Sequence, residues 1–220
     1  EKLQRTINYL FSREELLTLA LTHRSFSSRN NERLEFLGDA ILNYVIAESL
    51  YQKFSFAAEG DLSRLRAGLV KRQTLAEVAR EIELGSYLLM GSGELKSGGF
   101  KRESILSDAL EAVFGAIIID SSTDAATQCI LSLFNDRLAR LSPNDLRKDA
   151  KSRLQELLQS RGKPVPDYVL LRQSGKSPHQ EFEVECRTEE LEPVSASGSS
   201  IRNAEQSAAE STLTKLEDKS

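Results

Sequence analysis

The sequence predicts a chain in two parts, multi-domain α and α+β, with an all-helical region followed by a small α-β-β-β-α unit. Three observations carry this. Over residues 1–141 apolar side chains recur at helical spacing, with Gly at the stops and Ser, Thr, Asp or Asn at the starts. Residues 142–148, Ser-Pro-Asn-Asp-Leu-Arg-Lys, lose that period, carry a proline and read as a linker. Within residues 149–220 the period becomes two, because Phe182-Glu-Val-Glu-Cys186 alternates apolar and polar as a half-exposed strand does.

The elements come in order along the chain. Ser12-Arg-Glu-Glu15 has capping-box spacing and predicts a short helix running to about Ala20. A second helix begins after Asn30-Asn31 and carries Leu34, Leu37, Ile41, Leu42, Val45 and Ile46 toward Tyr51. A third runs from about Gly60 to Leu84, with Gly85 as its stop. After a Gly-rich stretch, Gly91 to Gly99, a strongly apolar helix spans about Arg102 to Ile119, and another spans about Thr123 to Arg140. In the second part Asp149 is the expected N-cap of a helix reaching Ser160, and Pro164 and Pro166 keep that helix from continuing. Tyr168 to Leu171, Phe182 to Cys186 and a segment near Val194 are the expected strands, and an alanine-rich helix closes the chain over about Ile201 to Leu216. No internal repeat is visible.

Composition narrows the function classes. At 220 residues, 40% apolar and a net charge of −4, the chain reads as globular, so any attraction to a polyanion has to be local. The two cysteines, Cys129 and Cys186, lack zinc-binding spacing and read as buried small hydrophobes in a reducing compartment. No segment has the apolar length of a membrane span, and the first residues are too charged for a signal peptide, so a cytoplasmic protein is expected. The Gly91–Gly99 stretch lacks the Gly-Lys-Ser/Thr that a P-loop needs, and reads as a flexible turn with Lys96, Lys101 and Arg102 available to phosphates.

The chemistry concentrates in acidic residues. Glu32, Glu35 and Asp39 are spaced three and four apart and share one helical face; Asp108 and Glu111 share a face of the later helix. Like charges stacked in this way repel unless a cation sits between them, and all-oxygen donors suit a hard divalent metal. The plainer reading is a solvated face paired with Arg24 or Arg33. Against it, apolar residues crowd the trio, and Asp108 and Glu111 lie in a run too apolar for a surface. Gly38 and Gly115 fall inside predicted helices at a cost of about 1 kcal/mol each, which close helix approach explains. His23 reads as a structural hydrogen-bonding residue.

Asn31-Glu-Arg-Leu-Glu-Phe-Leu-Gly-Asp39 resembles the signature of the ribonuclease III family, and Gly198-Ser-Ser with Ala204-Glu-Gln-Ser-Ala-Ala209 resembles its double-stranded-RNA-binding domain. Leu21-Thr-His-Arg-Ser25, Glu59 to Arg66, Lys96 to Gly99 and Glu103 to Asp108 extend the match in the family's order. The resemblance implies a helical endonuclease domain over 1–141 and an RNA-binding domain over 149–220. It implies that Glu35, Asp39, Asp108 and Glu111 hold Mg²⁺, with Mn²⁺ as a substitute, that Asp39 and Glu111 are the catalytic pair, and that Glu32 and Glu59 are supporting acids. It implies a homodimer, with Phe36 inserted into the neighbouring subunit, that cuts double-stranded RNA to 5′-phosphate and 3′-hydroxyl ends and processes ribosomal RNA precursors and messenger RNA. Such chemistry needs an activated water and stabilised charge on phosphate oxygens, which a carboxylate-held metal supplies. The alternatives are a non-cleaving regulator that binds double-stranded RNA and a dimerisation scaffold with a degenerate site.

By the same resemblance Ser152, Gln155, Glu156 and Gln159 are the expected minor-groove contacts, His179 belongs to a loop entering the next groove, and Arg202 meets phosphates. The last helix departs from the pattern. Where the family places a basic run this chain has Ile201-Arg-Asn203, and residues 149–220 hold ten Lys or Arg against thirteen Asp or Glu. Weak RNA affinity for the class is expected, with the acids on a sheet face turned away from RNA.

Overall fold

The computed structural model describes residues 1–142, 150–175 and 180–217. The chain separates into two compact units, Glu1–Leu146 and Arg147–Ser220. Of the expected linker only Ser142 falls among the described residues; Asp149 and His179 lie outside them.

The first unit holds α1 (Lys2–Thr6), α2 (Glu14–Ala20), α3 (Glu32–Lys53), α4 (Glu59–Val70), α5 (Arg72–Glu81), α6 (Ser92–Lys96), α7 (Glu103–Asp120) and α8 (Thr123–Arg140). Ala109, Leu110, Ala112, Val113, Phe114, Ala116 and Ile117 of α7 are fully buried, which makes it the central helix, apolar almost all round. α2, α3, α5 and α8 pack against it, α3 most extensively, while α4 packs on α3 and α5.

Two glycines permit that approach. A Cβ built on Gly38 would lie 1.7 Å from the Glu111 carbonyl oxygen, and one on Gly115 would lie 2.1 Å from that of Leu34. The helix-weakening residues thus sit where the α3 and α7 backbones nearly touch. Their cost is offset by packing that no larger residue allows.

The structure differs from the sequence reading at several ends. α2 begins at Glu14 without a Ser12 side-chain cap, because the Ser12 and Arg13 N–H groups donate instead to Asp120 of α7, at 2.8 and 3.0 Å. The expected long third helix is two helices, broken at Lys71, where ψ is 148°. Leu65 and Leu69 on one side and Leu75, Val78 and Ala79 on the other enter the same core, so the apolar period runs through a break that no Gly or Pro marks. Gly85 is not the stop: α5 ends at Glu81, Glu83 takes the left-handed conformation, and Gly85 packs against the Phe100 carbonyl. A parallel bridge of single residues, Thr22 with Leu89, interrupts the helical half.

The second unit is α9 (Ala150–Ser160), β1 (Asp167–Ser174), β2 (Glu181–Arg187), β3 (Val194–Gly198) and α10 (Ile201–Glu217), with an antiparallel sheet in the order β1-β2-β3. Alternation decides which face is covered. Phe182, Val184 and Cys186 are buried with Ala204, Ala208, Ala209 and Leu213 of α10 and Leu154 and Leu158 of α9, while Glu183 and Glu185 take the opposite face. Gly198 lets β3 meet the start of α10, since a Cβ there would lie 2.4 Å from the Ala204 nitrogen.

Candidate active site

The α3–α7 contact brings acids from both helices together. Glu35, Asp108 and Glu111 each offer a carboxylate oxygen, all within 4.8 Å of one another. They line a pocket of about 380 Å³ with Glu32, Phe36, Asp39 and Arg72. Asp39 is oriented by Asn43, whose Nδ2 donates to its Oδ1 at 2.8 Å, and the Ser107 hydroxyl lies 3.0 Å from Asp108 Oδ1.

Electrostatics separates this cluster from a solvated face. Among the described residues, the ion pairs of this surface fall on Glu32, with Arg24 at 3.6 Å, and on Glu94, with Arg102 at 3.0 Å. Among the same described residues Glu35, Asp39, Asp108 and Glu111 have none. Burial, then Asp39, Asp108 and Glu35, push the Glu111 carboxyl up to about 8. Burial first, then Asp108, Glu32 and Asp39, also raise Glu35. A pocket that holds carboxylates at this cost in charge repulsion fits a divalent cation, and its oxygen-only donors fit a hard one.

The other expected residues lie at the rim of the cluster or away from it. Glu32 stands at the edge, in its pair with Arg24. Glu59 is not at the cluster: it opens α4, accepts from the Ser63 hydroxyl at 2.7 Å, and lines a different pocket with Tyr44, Glu48 and Tyr51. The reason is topological, since Glu59 lies beside the C-terminal half of α3, whereas Glu35 and Asp39 lie in its N-terminal half. Phe36 is 81% exposed, beside an apolar pocket of about 1030 Å³ lined by Leu19, Leu34, Leu37 and Ile119. Arg72 is the cation that sequence reading missed; it lowers the Glu111 value while the acids raise it. Its signal was the helix break at Lys71, hidden inside a continuous apolar period.

In the second unit Gln155, Glu156 and Gln159 are exposed on α9 and Ser152 is partly so, away from the buried Leu154 and Leu158. Arg202 is exposed beside Ile201, itself 43% exposed. The nearby cations are engaged within the unit. Lys151 pairs with Glu205 at 2.7 Å and lies over the Tyr168 ring, and Arg153 pairs with Glu210 at 2.9 Å.

Carboxylates converging on close-packed helices, joined to an α-β-β-β-α unit, fit a nuclease of the acidic-cluster class with a nucleic-acid-binding module. Residues 13–138 match the family described as ribonuclease-III-like, and residues 150–216 match the double-stranded RNA binding motif. The chain is 48% identical to the nuclease domain of ribonuclease III from Campylobacter jejuni, in a structure concerned with flexibility of its dimer-forming region (TM-score 0.61, covering 62% of this chain and 96% of that one). A second structure of that domain gives 46% identity and a TM-score of 0.62, over 64% and 97% of the two chains. Dicer from Pichia stipitis is 27% identical, with a TM-score of 0.52 over 93% of this chain and 95% of that one. The chain belongs to the ribonuclease III family and is an endonuclease of double-stranded RNA. Among the described residues no helix is long and apolar enough to cross a membrane.

Proposed function

We propose that Glu35, Asp39, Asp108 and Glu111 hold Mg²⁺, with Mn²⁺ able to replace it, and that Asp39 and Glu111 are the catalytic pair. The observation that carries this is the convergence of Glu35, Asp108 and Glu111 within 4.8 Å. A bound divalent ion supplies an activated water and neutralises charge on the phosphate and the departing 3′ oxygen. The chain's part is to fix the oxygens that bind it. Asn43 holds Asp39 in one orientation, and the glycine contacts fix the distance between α3 and α7. Cleavage then leaves 5′-phosphate and 3′-hydroxyl ends.

Homodimer formation through α3 belongs to the same reading. Phe36 projects into solvent next to an apolar pocket on its own surface, so a twofold arrangement lets each copy fill the other. Ser152, Gln155, Glu156, Gln159, His179 and Arg202 are the proposed RNA contacts, supported for α9 by the exposure of its polar face. Processing of ribosomal RNA precursors and messenger RNA in the cytoplasm is the proposed role; buried, unpaired Cys129 and Cys186 suit a reducing compartment.

The test is a long RNA duplex incubated with the protein and with Glu111→Gln, with and without Mg²⁺, and then end labelling of the products. Cutting by the wild type in Mg²⁺ alone, with kinase labelling of 5′ ends only after phosphatase treatment, supports the reading. Metal-independent cutting, or a fully active variant, refutes it.

A further inference from the structure

The acidic pocket shares a wall with a second cleft, of about 600 Å³, which the proposed chemistry leaves unused. Glu32, Glu35 and Asp108 line both; the rest of the second cleft includes His23, Arg24, Arg102, Ser104 and Glu94, with Glu32 and Glu94 each already paired to one of the arginines. Cationic and hydrogen-bond-donating side chains thus stand beside the acids that would hold the metal.

His23 is the fixed element among them. Its backbone N–H donates to the Leu89 carbonyl at 2.9 Å, and the Leu89 backbone N–H donates to the Leu21 carbonyl at 2.9 Å. The Ser25 hydroxyl oxygen accepts from the Gly91 N–H at 3.0 Å, and a Cβ on Gly91 would lie 2.4 Å from the Ser25 carbonyl oxygen. The loop is therefore pinned on both sides of the imidazole. His23 Nδ1 accepts the Ser25 N–H at 3.2 Å and lies 2.8 Å from its hydroxyl oxygen. An accepting Nδ1 leaves the proton of the neutral ring on Nε2. Among the described residues Nε2 has no hydrogen-bond partner.

Arg24 and Arg102 are adjustable. Their side chains are 71% and 51% exposed, in pairs with Glu32 and Glu94 that solvent weakens. Arg24 can turn toward a stronger anion and leave Glu32, itself 55% exposed, in solvent, whereas Glu94 is only 20% exposed, so Arg102 has to meet the anion while keeping its pair.

We propose that this cleft seats the RNA backbone phosphate next to the scissile one, with His23 Nε2–H as its fixed donor and Arg24 and Arg102 as its cations. The inference rests on the acidic cluster being the cleavage site. A donor held in place beside the reacting phosphate would set which linkage of the strand lies over the acidic cluster.

The experiment uses the full chain and an RNA hairpin with one cleavage site, in Mg²⁺. His23→Asn keeps an acceptor for the Ser25 N–H and removes the Nε2 donor; His23→Gln retains a donor near Nε2. We expect His23→Asn to lower kcat/KM about tenfold with an unchanged melting temperature, and His23→Gln to recover part of the loss. Single methylphosphonates placed in turn at linkages flanking the cut identify the phosphate: one should slow the wild type about tenfold and His23→Asn less than twofold. If His23→Asn folds poorly, Arg24→Gln, an exposed change, enters the same cycle with the same expectation. Wild-type rates for the variant, or losses that multiply, overturn the proposal. A loss produced by a 2′-deoxy substitution and by no methylphosphonate also overturns it, in favour of a ribose contact. Glu111→Gln runs alongside, so cutting by that variant marks failure of the cleavage-site reading itself.

Discussion

Replacing Glu111 by Gln should stabilise the metal-free protein, although it removes a proposed catalytic group. Burial and the neighbouring acids raise this carboxyl from 4.5 to about 8 in the folded state. A raised folded value means that the native state binds the proton more tightly than the unfolded chain does. The stability this one group contributes is therefore fully present below about 4.5 and is lost as the pH rises toward about 8. At about 1.4 kcal/mol per pH unit the unscreened loss across that window is roughly 5 kcal/mol. The carboxyl is partly exposed, and solvent screening reduces the effect to about 2 kcal/mol. In EDTA at pH 8, Glu111→Gln should melt about 5 °C above the wild type, and the gap should close toward pH 5. Mg²⁺ should raise the wild-type melting temperature more than that of the variant. A variant less stable than the wild type at pH 8 in EDTA would refute the reasoning, because the cluster would then not be strained by its own charge.

Three further outcomes rest on particular contacts. Gly38→Ala drives a methyl group into the Glu111 carbonyl and should cost about 3 kcal/mol or more and abolish cutting, whereas Gly68→Ala in α4, where nothing lies within 4 Å, should stabilise by about 0.5–1 kcal/mol; thermal melts of the two separate packing from propensity. Phe36→Ala should weaken self-association at least about 100-fold in analytical ultracentrifugation, since each copy loses roughly 2 kcal/mol of apolar burial. Ile201→Lys restores a cation at the start of α10 and should tighten duplex RNA binding and steepen the log–log salt dependence by about one, as read by filter binding across KCl concentrations.

The convergence of the acids was legible in the sequence because its constraints are local and chemical. Acids at three- and four-residue spacing have to share a face, and an acid inside an apolar helix has to have a reason to be there. Gly38 and Gly115 even announced the close contact, since only packing compensates a glycine in mid-helix. What the sequence hid depends on the tertiary fold. The break at Lys71 leaves the apolar period intact, so Arg72 was not seen approaching Glu111. Asp120, far from Ser12 in the chain, took over the N-terminus of α2, and Glu83 took a backbone conformation usually left to glycine. The role of Glu59 could not be read from its surroundings in the chain, because where α4 starts relative to α3 decides which pocket it faces. The hydrogen bonds that direct His23 Nδ1 toward Ser25 are likewise visible only once Leu89 and Gly91 lie against that loop.

The most direct measurement is an anomalous difference map from crystals of the protein soaked in Mn²⁺. A metal-holding cluster predicts a peak within coordination distance, about 2.0–2.3 Å, of oxygens from Glu35, Asp108 and Glu111, which Glu111→Gln weakens or removes. A crystal with the cluster ordered and no peak there, or with manganese bound elsewhere while duplex RNA is still cut, would contradict it.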